Sequence, residues 1–444
     1  MKLTLILFFL VFTAIGQNIK GTILDEETQK PIDNVNVYYN KEKIGTVSNE
    51  KGEFNLKTIS KITQTDSISF SIIGYETKNH TLLKLNELNF IIHLSKKTEN
   101  LEEITITSNQ NLKPKLSYNN LSPLIKGVYN FGSTLVANKI YLIGGDETYF
   151  QDNAKRTLNE SSSIEDFLKK LKSNFIWENY SDKLQIYDIE KDTWETSKLR
   201  FRKRAYHNIV FLNDKIYVFG GKTLSENKKR EFLDDKIEVL NLNTKQIVVD
   251  NTNPHQAVNF AALSYQNNII VMGGSVKQNN NGLKIYTDQS HIYDIATGYW
   301  YELPKMTKSK EVNGIIIKNK IYLVGGFNKI PLSEIESYDL VTGKWKNEGS
   351  LFYGIEKPAL THNDGIIYVF NNDKIMTYNI ETKILYEYRI DLNLKSSQIH
   401  CDGHNLYILG GLIGDNYTNT PSSRLYSIDL NEFTKTEIIN SKNN

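Results

Sequence analysis

Between residues 198 and 206 the chain crowds Lys198, Arg200, Arg202, Lys203 and Arg204 beside Tyr206. Guanidinium groups that alternate along an extended segment next to a phenol suit an anionic sugar or a carboxylate, because the planar fork of arginine binds such groups through paired hydrogen bonds. With Lys222 just beyond, the candidate binding residues are Arg200, Arg202, Arg204, Tyr206 and Lys222. A solvated basic surface is the plainer reading of the same run. Other reactive chemistry is sparse: no H-E-x-x-H, C-x-x-C or Gly-rich phosphate loop occurs. His400-Cys401-Asp402-Gly403-His404 invites a metal, but it spans a hairpin on which alternation sends Cys401 to the side opposite His400. No catalytic residue, cofactor or metal is therefore assigned. A net charge of +2 gives no strong field for nucleic acid or membrane, and Cys401, the single cysteine, has no partner for an intrachain disulfide.

The elements that must hold these residues repeat. An apolar strand ends in a double glycine at IYLIGG (to Gly145), IYVFGG (Gly221), IIVMGG (Gly274), IYLVGG (Gly326) and LYILGG (Gly411), with IYVFNN (Asn372) in the fifth place. The spacing, 39 to 76 residues, fits the four short strands of a propeller blade plus loops, so six blades follow. Inside the units Tyr187 and Trp194, Tyr293 and Trp300, and Tyr338 and Trp345 sit seven apart, as two hairpin strands require when both aromatics face one packing layer. Blades 2 and 5 carry Leu240 with Ile247 and Tyr378 with Leu385, whereas blade 6 offers Ile428 with Lys435. These marks resemble the kelch repeat over residues 127–440, and Arg204-Ala-Tyr-His207 matches the Arg-x-x-His that often precedes the family's inner strand.

Strands of a blade are lettered A to D outward from the channel. The A–B turns are uniformly tight, as at Asn213-Asp-Lys215, so that face has little variety to build a pocket. The face carrying the B–C loops and D–A connections varies: 42 residues separate Gly145 from Tyr187 and 6 separate Asn372 from Tyr378. The long insertion of blade 1, residues 146–180, predicts a helix. Ser162 with Glu165 makes a capping box, and Ile164, Phe167, Leu168, Leu171 and Phe175 form one apolar face expected to lie on the propeller.

Ahead of the repeats, residues 18–107 alternate short strands with turn signals and predict an all-β sandwich. Gly21-Thr-Ile-Leu-Asp25, Val35-x-Val37, Gly45 to Phe54 with Gly52, Ile73-Gly-Tyr75 and Leu101-Glu-Glu-Ile-Thr-Ile-Thr107 resemble the carboxypeptidase regulatory-like domain, found at the front of many TonB-dependent receptors. That resemblance implies a transthyretin-like module for docking or spacing, without catalytic residues of its own. Residues 108–126, with Pro114 and Pro123, read as a linker. At the start, Lys2 precedes an apolar run from Leu3 to Ile15, and Ala14-Ile-Gly16 offers the small residues of a cleavage site. Residues 1–16 are thus expected to be a signal peptide, with the mature chain beginning at Gln17 and no transmembrane segment left.

The sequence therefore predicts an all-β chain, a β-sandwich followed by a six-bladed kelch-type β-propeller. Its expected role is that of an exported, non-catalytic binding protein, periplasmic, outer-membrane-associated or secreted. The propeller is expected to recognise a protein or glycan on the B–C/D–A loop face, and the sandwich to join an envelope complex. The competing expectation comes from a resemblance to exported kelch propellers that mutarotate sialic acid. Such a sugar mutarotase or epimerase needs an acid/base pair and an arginine for the acidic sugar's carboxylate.

Overall fold

The computed structural model describes residues 17–96 and 112–444, apart from positions 40, 59, 61, 73, 229 and 279–282. The expected signal peptide and the 101–107 stretch lie outside the described residues. The chain forms two compact units, residues 1–110 and 111–444. Among the described residues no helix is long and apolar enough to cross a membrane.

In the first unit, alternation of apolar and polar residues drives two sheets together. One has Asn18–Asp25 between Glu53–Lys57 and Ile91–Leu94, the last pairing in parallel. The other orders Ile44–Val47, Asn36–Tyr39, Ser67–Ser71 and Lys78–Thr81. Ile23, Val35, Val37, Phe54, Phe70 and Ile92 fill the space between them. Between Asn49 and Gly52 lies a turn: the Asn49 carboxamide oxygen accepts from the Lys51 and Glu53 amides at 3.0 and 2.9 Å, and Gly52 takes φ +73°.

The second unit is a ring of six sheets. The inner strands are Gly132–Val136, Asn208–Leu212, Ala261–Tyr265, Glu311–Ile317, Ala359–Asn363 and Gln398–Cys401; each packs beside the next and the last beside the first. In blade 5 the stretch Ile366–Asn379 supplies both B and C and passes through φ +61° at Asn372. Its two halves bring Ile367 and Val369 into one core cluster with Met376 and Tyr378.

The double glycines join blades. The second glycine donates its N–H to a carbonyl of the following blade: Gly145 to Arg204, Gly221 to Ala257, Gly274 to Lys310, Gly326 to Ile355 and Gly411 to Val128, all within 2.8–2.9 Å. At Gly274, φ is +98° and an added Cβ would stand 2.7 Å from the Val258 carbonyl, so no side chain fits. The seven-residue pairs stand directly opposite one another: Tyr187 faces Trp194, Leu240 Ile247, Tyr293 Trp300, Tyr338 Trp345 and Tyr378 Leu385.

Blade 6 explains its missing pair. Its outer strand is Asn119–Asn120, which pairs with Ser427 and Tyr426 of Leu425–Asp429. Lys435 follows a 3-10 turn, Leu430–Thr434, and the chain then runs on to Asn440–Asn443, which adds a further strand to blade 5 beside Ile384–Leu394. Residues 112–126 are accordingly not a linker. Leu116 and Leu124 are buried in propeller clusters, and the Trp194 indole donates to the Ser122 carbonyl at 2.8 Å. The Pro and Asn residues of this stretch mark a closing strand and its turns.

The blade 1 insertion also differs from expectation. It contains helices Asn153–Glu160 and Ile164–Lys170 flanked by strands Tyr149–Gln151 and Phe175–Trp177. Ser163, not Ser162, caps the second helix, accepting from the Asp166 amide at 3.1 Å. The apolar face does not lie on the propeller: Ile164 is 79% exposed and Leu168 64%. Tyr149–Gln151 pairs instead with Thr418–Pro421 of blade 6, so the two loops build a small sheet of their own. Backbone pairing of the strands, rather than burial of one helix face, fixes the insertion.

Candidate binding site at the channel mouth

Every D–A connection passes the channel on the loop face just before strand A. Main-chain bonds link these positions around the mouth: Asn130 donates to Ser396, Tyr206 to Asn130, Asn259 to Tyr206 and Val312 to Asn259. Asn130, Tyr206, Asn259 and Ser396 take φ between +48° and +62° there. Beyond each double glycine the next residue pairs back to the residue before that link: Asp146 with Tyr129, Lys222 with Ala205, Ser275 with Val258 and Leu412 with Lys395. Two concentric sets of side chains thus surround the mouth, and their identities differ from blade to blade.

A cavity of about 90 Å³ opens there, lined by Asn130, Tyr206, Asn259, Asn313, Lys357 and Gln398 among others. Lys357 is its cation. Its ammonium donates to Asn130 Oδ1 at 3.3 Å and stands 4.7 Å from the centre of the Tyr206 ring. Burial pulls its pKa down to about 8, against the pull of Glu311 and Glu356, with Lys284 and Lys222 reinforcing the drop. The other lysines around the mouth are neutralised: Lys222 by Glu231 at 2.6 Å, Lys284 by Glu311 at 2.9 Å and Lys374 by Glu387 at 3.0 Å. Among the described residues no carboxylate lies within ion-pair distance of Lys357.

Tyr206 is the hub. Lys222 stands 4.3 Å from its ring centre, and its hydroxyl donates to Asp146 at 3.3 Å. Burial, then Asp146, pushes the phenol above its ordinary range. Burial also raises the pKa of Asp146, although Thr148, Tyr129 and Tyr206 all donate to it.

The arginines lie elsewhere. Arg204 is fully buried: it meets Glu238 at 2.7 Å and Asp234 at 3.4 Å, and donates to the Gly220 and Lys236 carbonyls. Burial disfavours charge on both Arg204 and Glu238; Asp234 and Glu238 oppose that at Arg204, and Arg204 opposes it at Glu238. Arg202 Nε donates to both carboxylate oxygens of Asp234, at 2.9 and 3.2 Å, and Arg200 folds back on the Ser197 and Leu199 carbonyls. The basic run is therefore not one anion site. Outside any regular strand, Arg204 turns into the blade and Arg202 lies along its rim, where Asp234 and Glu238 of blade 2 meet them. His207 is buried and neutral, its pKa drawn down to about 3, with Nε2 on the Ile143 carbonyl of blade 1. His400 contacts Ser133 Oγ at 2.8 Å, a tie between blades 6 and 1. Of the sequence candidates, Tyr206 and Lys222 stand at the mouth. Lys357 was not singled out, although its place two residues before an inner strand, shared with Asn130, Tyr206, Asn259 and Ser396, is a signal that phasing the repeats would have exposed.

Comparison with known proteins agrees with this architecture. Residues 174–378 match the KLHDC2/KLHL20/DRC7 Kelch-repeats domain and residues 19–106 the CarboxypepD_reg-like domain. Kelch-like protein 23 of Homo sapiens is 23% identical over 195 residues, 43% of this chain and 31% of that protein. Kelch repeat and BTB domain-containing protein 12 of Homo sapiens is 24% identical over 233 residues, 50% of this chain and 33% of that protein. The matches thus span about a third of these relatives. N-(sulfonatooxy)prop-2-enimidothioate sulfolyase of Thlaspi arvense is 26% identical over 211 residues, 41% of this chain and 58% of that protein. The solved structure of YjhT superimposes with a TM-score of 0.52 at 11% identity, covering 68% of this chain and 95% of that one, and supports the propeller fold alone.

Proposed function

From a chain that carries a kelch-repeat propeller behind a CarboxypepD_reg-like domain, we propose a binding protein whose loop face takes a protein partner and seats a partner carboxylate on Lys357. The observation that supports this is the ammonium of Lys357: half-buried, open to the cavity, and lacking the carboxylate that each neighbouring lysine has. A partly desolvated cation of this kind gains most from an incoming anion, and Asn130, Asn259, Asn313 and Gln398 add amide donors around it. The role also agrees with kelch domains as protein-binding modules. The acidic-sugar mutarotase requires an arginine and an acid/base pair at the mouth; the residues lining the cavity include one carboxylate, Glu356, and no arginine. Glycan recognition and an envelope partner for the sandwich remain part of the proposal. Export rests on the apolar run after Lys2.

Selection of displayed peptides on the propeller tests the reading. Peptides enriched on the unaltered protein should carry an Asp, a Glu or a free C-terminal carboxylate, and Lys357→Met should lose them while Lys357→Arg keeps them. Enrichment of peptides without a shared carboxylate, or binding indifferent to Lys357→Met, overturns it.

A further inference from the structure

A second cavity, about 220 Å³, opens between the blade 1 insertion and the blade 6 loop, lined by Lys126, Gly127, Glu147, Tyr149, Trp177 and the Thr420-Pro421 pair. Glu147 is 5% exposed, and its Oε1 has no hydrogen-bond donor. Its other oxygen accepts from the Asn179 carboxamide at 2.8 Å, and its backbone N–H donates to the Asn179 carbonyl at 2.9 Å, so the side chain is held in place. A buried carboxylate oxygen without a donor is expensive, which favours a donor brought to it by water or a ligand. The same cavity is lined by an aromatic pair, Trp177 and Tyr149, which stand directly across from each other on paired strands. Lys126 holds its ammonium 5.1 Å from the Trp177 ring centre, which shows that this ring face already attracts a cation. No ion pair joins Lys126 to Glu147 among the described residues, so the ring and the carboxylate are not satisfied by one and the same group.

We propose that this cavity is a guanidinium site, taking an arginine side chain flat against Trp177 with an N–H directed to Glu147 Oε1. Guanidinium fits both demands: its plane stacks on an aromatic face, and its edge carries donors. A quaternary ammonium would satisfy the ring and leave the carboxylate without a donor. The volume is below that of drug-sized pockets and matches one side chain rather than a larger molecule. Gly127 keeps the wall thin, since a Cβ there would stand 2.6 Å from the Pro421 carbonyl. This site is independent of what seats on Lys357.

The test uses the full chain labelled with 15N, following the indole resonances of its four tryptophans. The probes are N-acetyl-arginine amide, its neutral isostere N-acetyl-citrulline amide, N-acetyl-lysine amide and free guanidinium ion. The arginine amide should shift the Trp177 resonance and spare Trp194, Trp300 and Trp345. The citrulline amide should give no shift, and the lysine amide should bind several-fold more weakly. Glu147→Gln should weaken binding at least tenfold, and Lys126→Met, which removes the resident ammonium, should tighten it. Trp177→Leu, with its ring exposed and outside the propeller core, is the second variant should Glu147→Gln fail to fold; it should abolish arginine binding. Free guanidinium binding as well as the arginine amide assigns recognition to the head group alone, within the proposal. Equal binding of the citrulline or lysine amide, no shift with the arginine amide, or weaker binding in Lys126→Met overturns it.

Discussion

Replacing Arg200, Arg202 and Arg204 one at a time by Gln should give three different results, graded by environment rather than by shared charge. Arg204 has no exposed surface and satisfies two buried carboxylates and two carbonyls. Removing one partner of such a cluster strands the other charges, and about 3–5 kcal/mol of stability should be lost. Arg202 has a side chain 44% exposed with one ion pair to Asp234, so solvent screening limits its loss to at most about 1 kcal/mol. Arg200 bonds to carbonyls of its own strand and its change should pass unnoticed. Urea unfolding followed by tryptophan fluorescence measures the series on the propeller alone, because all four tryptophans, Trp177, Trp194, Trp300 and Trp345, lie in the second unit. Equal midpoints for Arg204→Gln and Arg200→Gln would refute the reasoning, for then the buried cluster would contribute nothing that an exposed arginine does not.

Lys357 has a folded pKa of about 8 against an ordinary 10.5, so the unfolded chain binds more protons between these values and stability should rise with pH across that window; Lys357→Met should flatten the rise in pH-dependent denaturation. Affinity for an anionic peptide should run the other way, falling as pH climbs through 8, and a titration by calorimetry would show it. Trp194→Ala should cost about 3 kcal/mol, since it removes the ring opposite Tyr187 and the indole bond to Ser122, as read by thermal unfolding. A chain starting at Gly127 should fail to form a cooperative propeller, whereas one starting at Leu112 should fold, as judged by calorimetry. The proposed export with cleavage after Gly16 predicts a mature chain beginning at Gln17; an intact mass that retains residues 1–16 would overturn it.

The blades were legible because their marks answer to local constraints. Gly274 must be glycine for the neighbouring carbonyl, and Tyr293 must stand opposite Trp300, so each leaves its residue type at a fixed phase. Closure was not legible in the same way. Asn119 and Asn120 pair through backbone alone with Tyr426 and Ser427, and Asn, Pro and Ser between them look like connecting chain. The site was half legible. Tyr206 and Lys222 were reached through a basic run whose arginines proved structural, because sequence shows that Arg204 carries charge but not that Asp234 and Glu238, about thirty residues on, come back to meet it. Lys357 could have been reached by phasing the repeats, through its place two residues before an inner strand, but its lack of a counter-ion is a property of the assembled ring that the sequence does not carry. The insertion helix shows the converse error, an apolar periodicity in Ile164, Leu168 and Leu171 that burial did not follow.

The closing strand also sets a clock. Asn120 is made early, while its partner Tyr426 is 306 residues later in the chain. At about 5–20 residues per second of synthesis, the first strand waits roughly 15–60 s for the last blade. Through that interval the blades accumulate one after another with an open rim, and the outer edge of the sixth cannot be covered until the start of the second unit comes round to it. The first unit, complete within its own hundred or so residues, has no such delay and folds on its own schedule. Unpaired strand edges therefore stay exposed from the synthesis of Asn120 until the last blade is made, and a chaperone that shields this protein has work throughout that interval.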